Sequence, residues 1–125
     1  MDEYFHPCMI RGDGGRAIRA ILDHICNKWT LLVVATLDQD TLRFTDLHQQ
    51  IPGISQRMLT LTLRHLERDG LVTRVVHAQV PPRVEYTLTA MGRSLLPPAL
   101  ALAGWAMRHV PQIEASRAAY EHRSG

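Results

Sequence analysis

Residues 52–71 read PGISQRMLTLTLRHLERDGL, and the reading of this one stretch decides the fold. Ser55 can accept from a free backbone N–H of a first helical turn, which makes it an N-cap. Gly70 stands just past the far end, where a left-handed residue usually closes a helix. At 100° per residue Leu59, Leu63 and Leu66 fall on one stripe with Gly70 below them, an ordinary core face. The opposite face carries Arg57, Thr60, Leu61, Arg64 and Arg68, with no acid among them. Such a face is either solvated or laid in a DNA major groove, where arginine reads guanine edges and threonine or leucine touches a thymine methyl. The neighbouring elements decide between the two.

Upstream, residues 1–15 form an irregular arm containing GDGG. From Arg16 the pattern turns helical, with Ile18, Ile21, Leu22 and Ile25 at i, i+3, i+4 and i+7. Asn27 is the expected N-cap of a second helix over 28–37, apolar on nearly every side after Trp29 and therefore central. DQDT at 38–41 is a turn. A third helix, 42–51, carries Phe44, Leu47 and Ile51 on one face and stops at Pro52-Gly53. Downstream of Gly70 the period changes. LVTRVVH at 71–77 is rich in β-branched residues. RVEYTL at 83–88 alternates Val84, Tyr86 and Leu88 with Arg83, Glu85 and Thr87. The stiff loop AQVPP joins them into a hairpin. Thr89 then caps a long helix to about Arg108, bent at Pro97-Pro98 where an N–H is lost.

This order predicts a mainly α (α+β) winged helix-turn-helix with a two-stranded β wing and terminal dimerisation helices. The helices 42–51 and 54–68, joined by a tight Pro-Gly turn, are the helix-turn-helix, and the second enters the major groove. Arg83 is placed at the tip of the wing beside two prolines, which suits the strong negative potential of a narrow minor groove. The expected divisions are an arm over 1–15, one DNA-binding and dimerisation domain over 16–110, and a polar tail over 111–125, either helical or frayed. The apolar face Ile18, Ile21, Leu22 and Ile25, with Leu95, Leu102 and Trp105 of the long helix, exceeds what one small domain needs. A homodimer is the expected use for it.

Composition agrees without deciding anything alone. A chain of 125 residues suits one domain, and a formal charge of +2 permits nucleic-acid binding without requiring it. The most apolar window, LLVVATL at 31–37, is too short to cross a membrane. MDEYFHP lacks the pattern of a secretory signal, so a cytoplasmic location is expected. Two cysteines are too few for a disulfide scaffold. His24 and Cys26, two residues apart, point away from each other on a helix. CxxC, HExxH, Gly-rich phosphate loops and GxSxG are all missing from the sequence. The expectation is a binding protein with no catalytic residues, metal or cofactor. The rival from another class is a winged-helix adaptor that uses the same helix or wing on a partner protein. Such an adaptor is expected to break up the arginine face or set acids on it, and to show no steep salt-dependent binding to mixed DNA.

The sequence resembles the HxlR-type family of bacterial winged-helix transcription regulators, relatives of the MarR group. The resemblance rests on ILDHICNKWTLLVVATL, LRFTDLHQQIPGISQRMLTLTLRHLERDGLVTR and VPPRVEYTLTAMGRSLLP in that order, spanning roughly residues 18–106. It implies a homodimer in which each subunit offers a recognition helix and a wing to half of a pseudo-palindromic operator. It implies recognition-helix roles for Ser55, Gln56, Arg57, Thr60 and Arg64, a wing role for Arg83, and a role for Lys28 and Thr30 in the KWT segment. A helix N-terminus beside a lysine favours phosphate, although Thr30 could equally complete a helix cap. Arg43, beside the helix-turn-helix, is a further phosphate candidate, and Leu61 a candidate for a thymine methyl.

Many regulators of this type carry a cysteine before the first helix, in a CP pattern, that senses electrophiles or oxidants. That position here falls on Arg16, and Cys8 lies eight residues earlier in PCM. Cys8 is the candidate redox sensor, with His6, Arg11 and Arg16 able to supply positive potential. Cys26 stands where the family usually has glycine and is expected to pack as a small apolar residue. The resemblance also implies repression, often of an adjacent oxidoreductase-type gene. The effector is an electrophile at Cys8, a small aromatic ligand between the terminal helices and the DNA-binding core, or no small molecule. The operator, the regulated gene and the signal are not written in the sequence.

Overall fold

Asn27, Ser55 and Thr89 each accept from the backbone N–H three residues on, at Thr30, Met58 and Gly92. These three caps mark where the helices of the body begin. The computed structural model describes residues 10–124. After a 3-10 turn at Asp13–Gly15 come α1 (Arg16–Ile25), α2 (Lys28–Leu37), β1 (Leu42–Arg43), α3 (Phe44–Gln50) and α4 (Gln56–Arg68). The wing strands β2 (Val72–His77) and β3 (Arg83–Leu88) follow, then α5 (Ala90–Ser94) and α6 (Leu96–Ser124). The winged helix-turn-helix is therefore present in the expected order.

The core lies where α2, α3, α4 and the inner face of the sheet meet. Val33, Val34 and Leu37 of α2, Leu47 and Ile51 around α3, and Leu59, Leu63 and Leu66 of α4 are buried together with Val72, Tyr86 and Leu88. Alternation along β3 delivers Tyr86 and Leu88 inward, as the period-2 pattern requires. Fully burying an aliphatic side chain is worth about 1.5–3 kcal/mol, so this cluster is the main source of cohesion.

Tight junctions seat the wing against the helices. Gly70 adopts φ +81°, the left-handed conformation that closes α4. The Thr89 hydroxyl donates to Gly70 O at 2.7 Å, and Thr89 N donates to Leu71 O at 3.0 Å. At Gly92 an added Cβ would stand 2.1 Å from Leu71 O, so only glycine permits this approach of α5 to the start of β2.

Several boundaries differ from the sequence expectation. The sheet has three strands in the order β1-β3-β2, because Leu42 and Arg43 pair with Tyr86 and Glu85 instead of opening α3. The Asp46 carboxylate accepts from Arg43 N at 3.1 Å, which sets the start of α3 at Phe44. The bend expected at Pro97-Pro98 falls earlier, as a break between α5 and α6 at Leu95. The two prolines occupy the first turn of α6, where a missing N–H costs nothing. Helix α6 runs past its expected end near Arg108 and through Pro111 to Ser124, so the tail takes the helical form of the two the sequence left open. Cys26 is exposed rather than packed, because it lies at the C-cap of α1. Among the described residues no single helix is long and apolar enough to cross a membrane.

Candidate nucleic-acid interface

Helix α4 holds three faces at once. Leu59, Leu63 and Leu66, joined by Thr62 at 4% exposure, turn into the core. Arg57, Arg64 and Arg68 are exposed on the opposite side, with Gln56 at its start. Among the described residues none of these three arginines forms an ion pair or a side-chain hydrogen bond. By contrast Arg16, Arg19, Arg83 and Arg93 are each engaged within the chain. A mobile guanidinium at an exposed helix face is free to meet an external acceptor.

Clefts lie on both flanks of that arginine face. Toward the wing, Thr60, Arg64 and Glu67 line a hollow of about 370 Å³ with Arg74 and Tyr86. Arg74 is cross-strand to Tyr86 and so points to the helix side of the sheet. Sequence reading missed it, although VTRVVH contains the signal: alternation sets Arg74 on the same side as Val72 and Val76. Toward α1 and α2, Met58, Leu61 and His65 line a second hollow with Lys28 and Trp29, also about 370 Å³. Leu61, 43% exposed, therefore sits at the border between the arginine face and this hollow.

The expected site residues divide by geometry. Ser55 caps α4 by accepting from Met58 N at 3.0 Å, which leaves its own proton free to donate. The Thr60 hydroxyl donates to Gln56 O at 2.8 Å, so what it offers outward is a methyl and a lone pair. Lys28 is exposed, with Nζ 4.5 Å over the Trp29 ring. Thr30 does not reach the surface. It is 2% exposed and its hydroxyl donates to His24 O at 2.9 Å, which makes it part of the α1–α2 corner. Its backbone N–H donates to Asn27 Oδ1 at 2.9 Å, the geometry of the cap that the sequence left open as one of its two roles. Arg43 is exposed at the edge of the sheet.

Arg83 stands at the far end of the wing, in the last strand pair before its loop. The strands stay paired as far as His77 and Arg83, so the loop is 78–82 and Val80, 99% exposed, marks its end. Arg83 Nε lies 3.7 Å from Glu85 Oε1. Arg43 and Arg83 together line a shallow hollow with Phe44 and Pro82.

Sequence spacing also could not show a cluster at the base of α4. The rings of His24 and His65 stack at 4.5 Å, and His24 Nδ1 lies 3.5 Å from Asp69 Oδ2. His24 is distant along the chain from His65 and Asp69, and it meets them only because α1 ends against α4. Among the described residues no group of His, Cys, Asp or Glu is arranged to hold a metal ion. Cys8 lies outside the described residues.

The sequence pattern of one family, the HxlR-like helix-turn-helix proteins, matches residues 24–114. The chain belongs to this HxlR-like family. A relative in Methanothermobacter thermautotrophicus, an uncharacterized HTH-type transcriptional regulator, is 47% identical over 89 residues, 71% of this chain and 68% of its own. Among solved structures, YtfH from Salmonella typhimurium superposes with TM-score 0.73 at 39% identity, over 80% of this chain and 89% of that one. The redox regulator HypR in its reduced form superposes with TM-score 0.71 at 40% identity, over 79% and 98%. This HxlR-like protein is a DNA-binding transcriptional regulator.

Proposed function

We propose that the protein is a homodimeric repressor that binds a pseudo-palindromic operator, with α4 in the major groove and the wing, 77–84, in the minor groove. The observation that carries this reading is the set Arg57, Arg64 and Arg68, exposed on one helix face without internal partners. Seven residues separate Arg57 from Arg64, a rise of roughly 10 Å. That spacing lets them address neighbouring base pairs or a base and a phosphate in a groove about 12 Å wide. Gln56 and Thr60 flank them. Lys28 and Arg43 serve phosphates on either side, and Arg83 and Arg74 act from the wing. A role on chromosomal DNA supports a cytoplasmic location. Its activity is binding, without catalysis.

The dimer joins α1 to α6. Ile18 and Ile21 are 38% and 56% exposed, Leu102 and Trp105 53% and 49%, and Leu22 is half-buried beside them. Ile25 packs partly against the core and anchors this surface to the body. A two-fold dimer sets its half-sites one helical turn or a multiple apart on one side of the duplex.

Arg57→Ala or Arg64→Ala is expected to cost roughly 1–3 kcal/mol at the preferred site where the contact is bidentate to a base. Titration against preferred and mixed duplexes checks this, and equal weakening on both makes that residue a phosphate contact. Absence of salt-dependent binding by the wild type contradicts the reading altogether. The likeness to a redox regulator makes an oxidant the first effector to test. Loss of binding under diamide that vanishes in Cys8→Ser, and persists in Cys26→Ser, assigns the sensor to Cys8.

A further inference from the structure

Strand register gathers charged side chains at one spot on the outer face of the sheet. His77 is the cross-strand partner of Arg83, while Glu85 faces Val75 on β2 and Arg43 on β1. Side chains alternate along strands, so all of these lie opposite the inward Val72, Tyr86 and Leu88. Among the described residues Glu85 is the only acid on this face. Its Oε1 is in close hydrogen-bond contact with His77 Nε2. Arg83 Nε approaches the same oxygen only to 3.7 Å, and it is buried with no hydrogen-bond partner. A carboxylate next to an arginine ordinarily takes the guanidinium in two parallel bonds. Here the imidazole holds the oxygen, and the arginine is retained by charge alone. A buried N–H without an acceptor is unfavourable, so this guanidinium gains by finding one elsewhere. It already lines the hollow it shares with Arg43, Phe44 and Pro82, of about 310 Å³.

We propose that His77 is a positioning residue for DNA binding: by holding the Glu85 carboxylate it keeps the Arg83–Glu85 ion pair loose and without a hydrogen bond, leaving the Arg83 guanidinium able to turn to a DNA phosphate beside the wing loop. This rests on the reading of the wing as a DNA-contacting element. Without the imidazole, Glu85 tightens on Arg83, and DNA must compete with a hydrogen-bonded ion pair for that side chain. Arg43 is the other cation that Glu85 faces, so the test has to distinguish the two arginines.

The test is a titration of the full chain against a mixed-sequence duplex at several salt concentrations. His77→Leu is expected to weaken binding roughly three- to tenfold and to make the slope of log K against log salt shallower by about 0.9, the share of one phosphate. His77→Gln keeps an N–H donor toward Glu85 and stays within about twofold of wild type. His77→Leu combined with Glu85→Gln binds like Glu85→Gln alone, because a neutral amide has no charge with which to capture Arg83. In an Arg83→Gln background His77→Leu has no effect. A loss that persists undiminished in either background overturns the proposal, since a folding defect or a role through Arg43 behaves that way. Wild type binding DNA with His77→Leu unchanged also overturns it and leaves the DNA reading standing. A wild type that shows no salt-dependent binding removes the DNA reading itself.

Discussion

Helices α1 and α2 each have ten residues and opposite fates. α2 is apolar nearly all round and buries Thr30, Val33, Val34 and Leu37. α1 carries a cleaner amphipathic stripe, yet none of its residues is buried. α6 repeats the contrast within one element. Ala99 is its last buried residue, and beyond it Leu102, Trp105 and Met107 stay 49–75% exposed. An apolar stripe thus guarantees a partner surface without saying which chain supplies it. The molecule consists of a body, α2–α4 with the sheet, that closes its own core, and of two arms whose apolar faces are left open.

The contrast can be broken where its effect is largest. Leu59→Ala in the body is expected to lose about 2–5 kcal/mol in denaturant unfolding. Ile21→Ala on α1, measured at protein concentrations low enough to populate monomers, is expected to lose under about 0.5 kcal/mol. Equal losses would place α1 in the body and remove the distinction. The paired change Ile21→Asp with Trp105→Asp sharpens it from the other side. Light scattering at micromolar concentration should then fall from the mass of two chains to that of one, with the far-UV spectrum retained. An unchanged mass moves the dimer contact away from these arms. Effects smaller than those in the core lie at the corner between arm and body. Asn27→Ala should cost about 1 kcal/mol of stability as a lost cap. Thr30→Val should cost a similar amount, roughly 1 kcal/mol, with DNA affinity unaltered. A fall in affinity at unchanged stability would return Thr30 to the phosphate contacts.

What could be read from the sequence follows from where the determining forces act. The helix starts at Asn27, Ser55 and Thr89 were legible because a cap is a contact with a backbone amide only three residues on. Gly70 was legible because a left-handed closure is a property of one residue. The core stripe of α4 followed from its period. Pairing of Leu42 and Arg43 with β3 was not legible, since the partner strand lies far along the chain and two residues carry too little pattern. The break at Leu95 was not legible because prolines seat readily in a first turn, and the extent of α6 past Arg108 was not because the polar stretch after Pro111 suits a helix or a frayed end equally. In the candidate site, the exposed arginines of α4 were foreseen from helical geometry alone. The engagement of Arg83 with Glu85 was not, because it depends on how far the hairpin stays zipped. Arg74 is legible only through its inward parity with Val72 and Val76, and the His24–His65–Asp69 cluster not at all, because only tertiary packing assembles it.

Selection of bound sequences from a random pool of double-stranded DNA tests the central claim most directly. Enrichment of an inverted repeat, with half-sites one helical turn or a multiple apart, is the predicted result for two α4 helices carried by a two-fold dimer. Failure to enrich any sequence at low salt, or enrichment of single half-sites without symmetry, would contradict it.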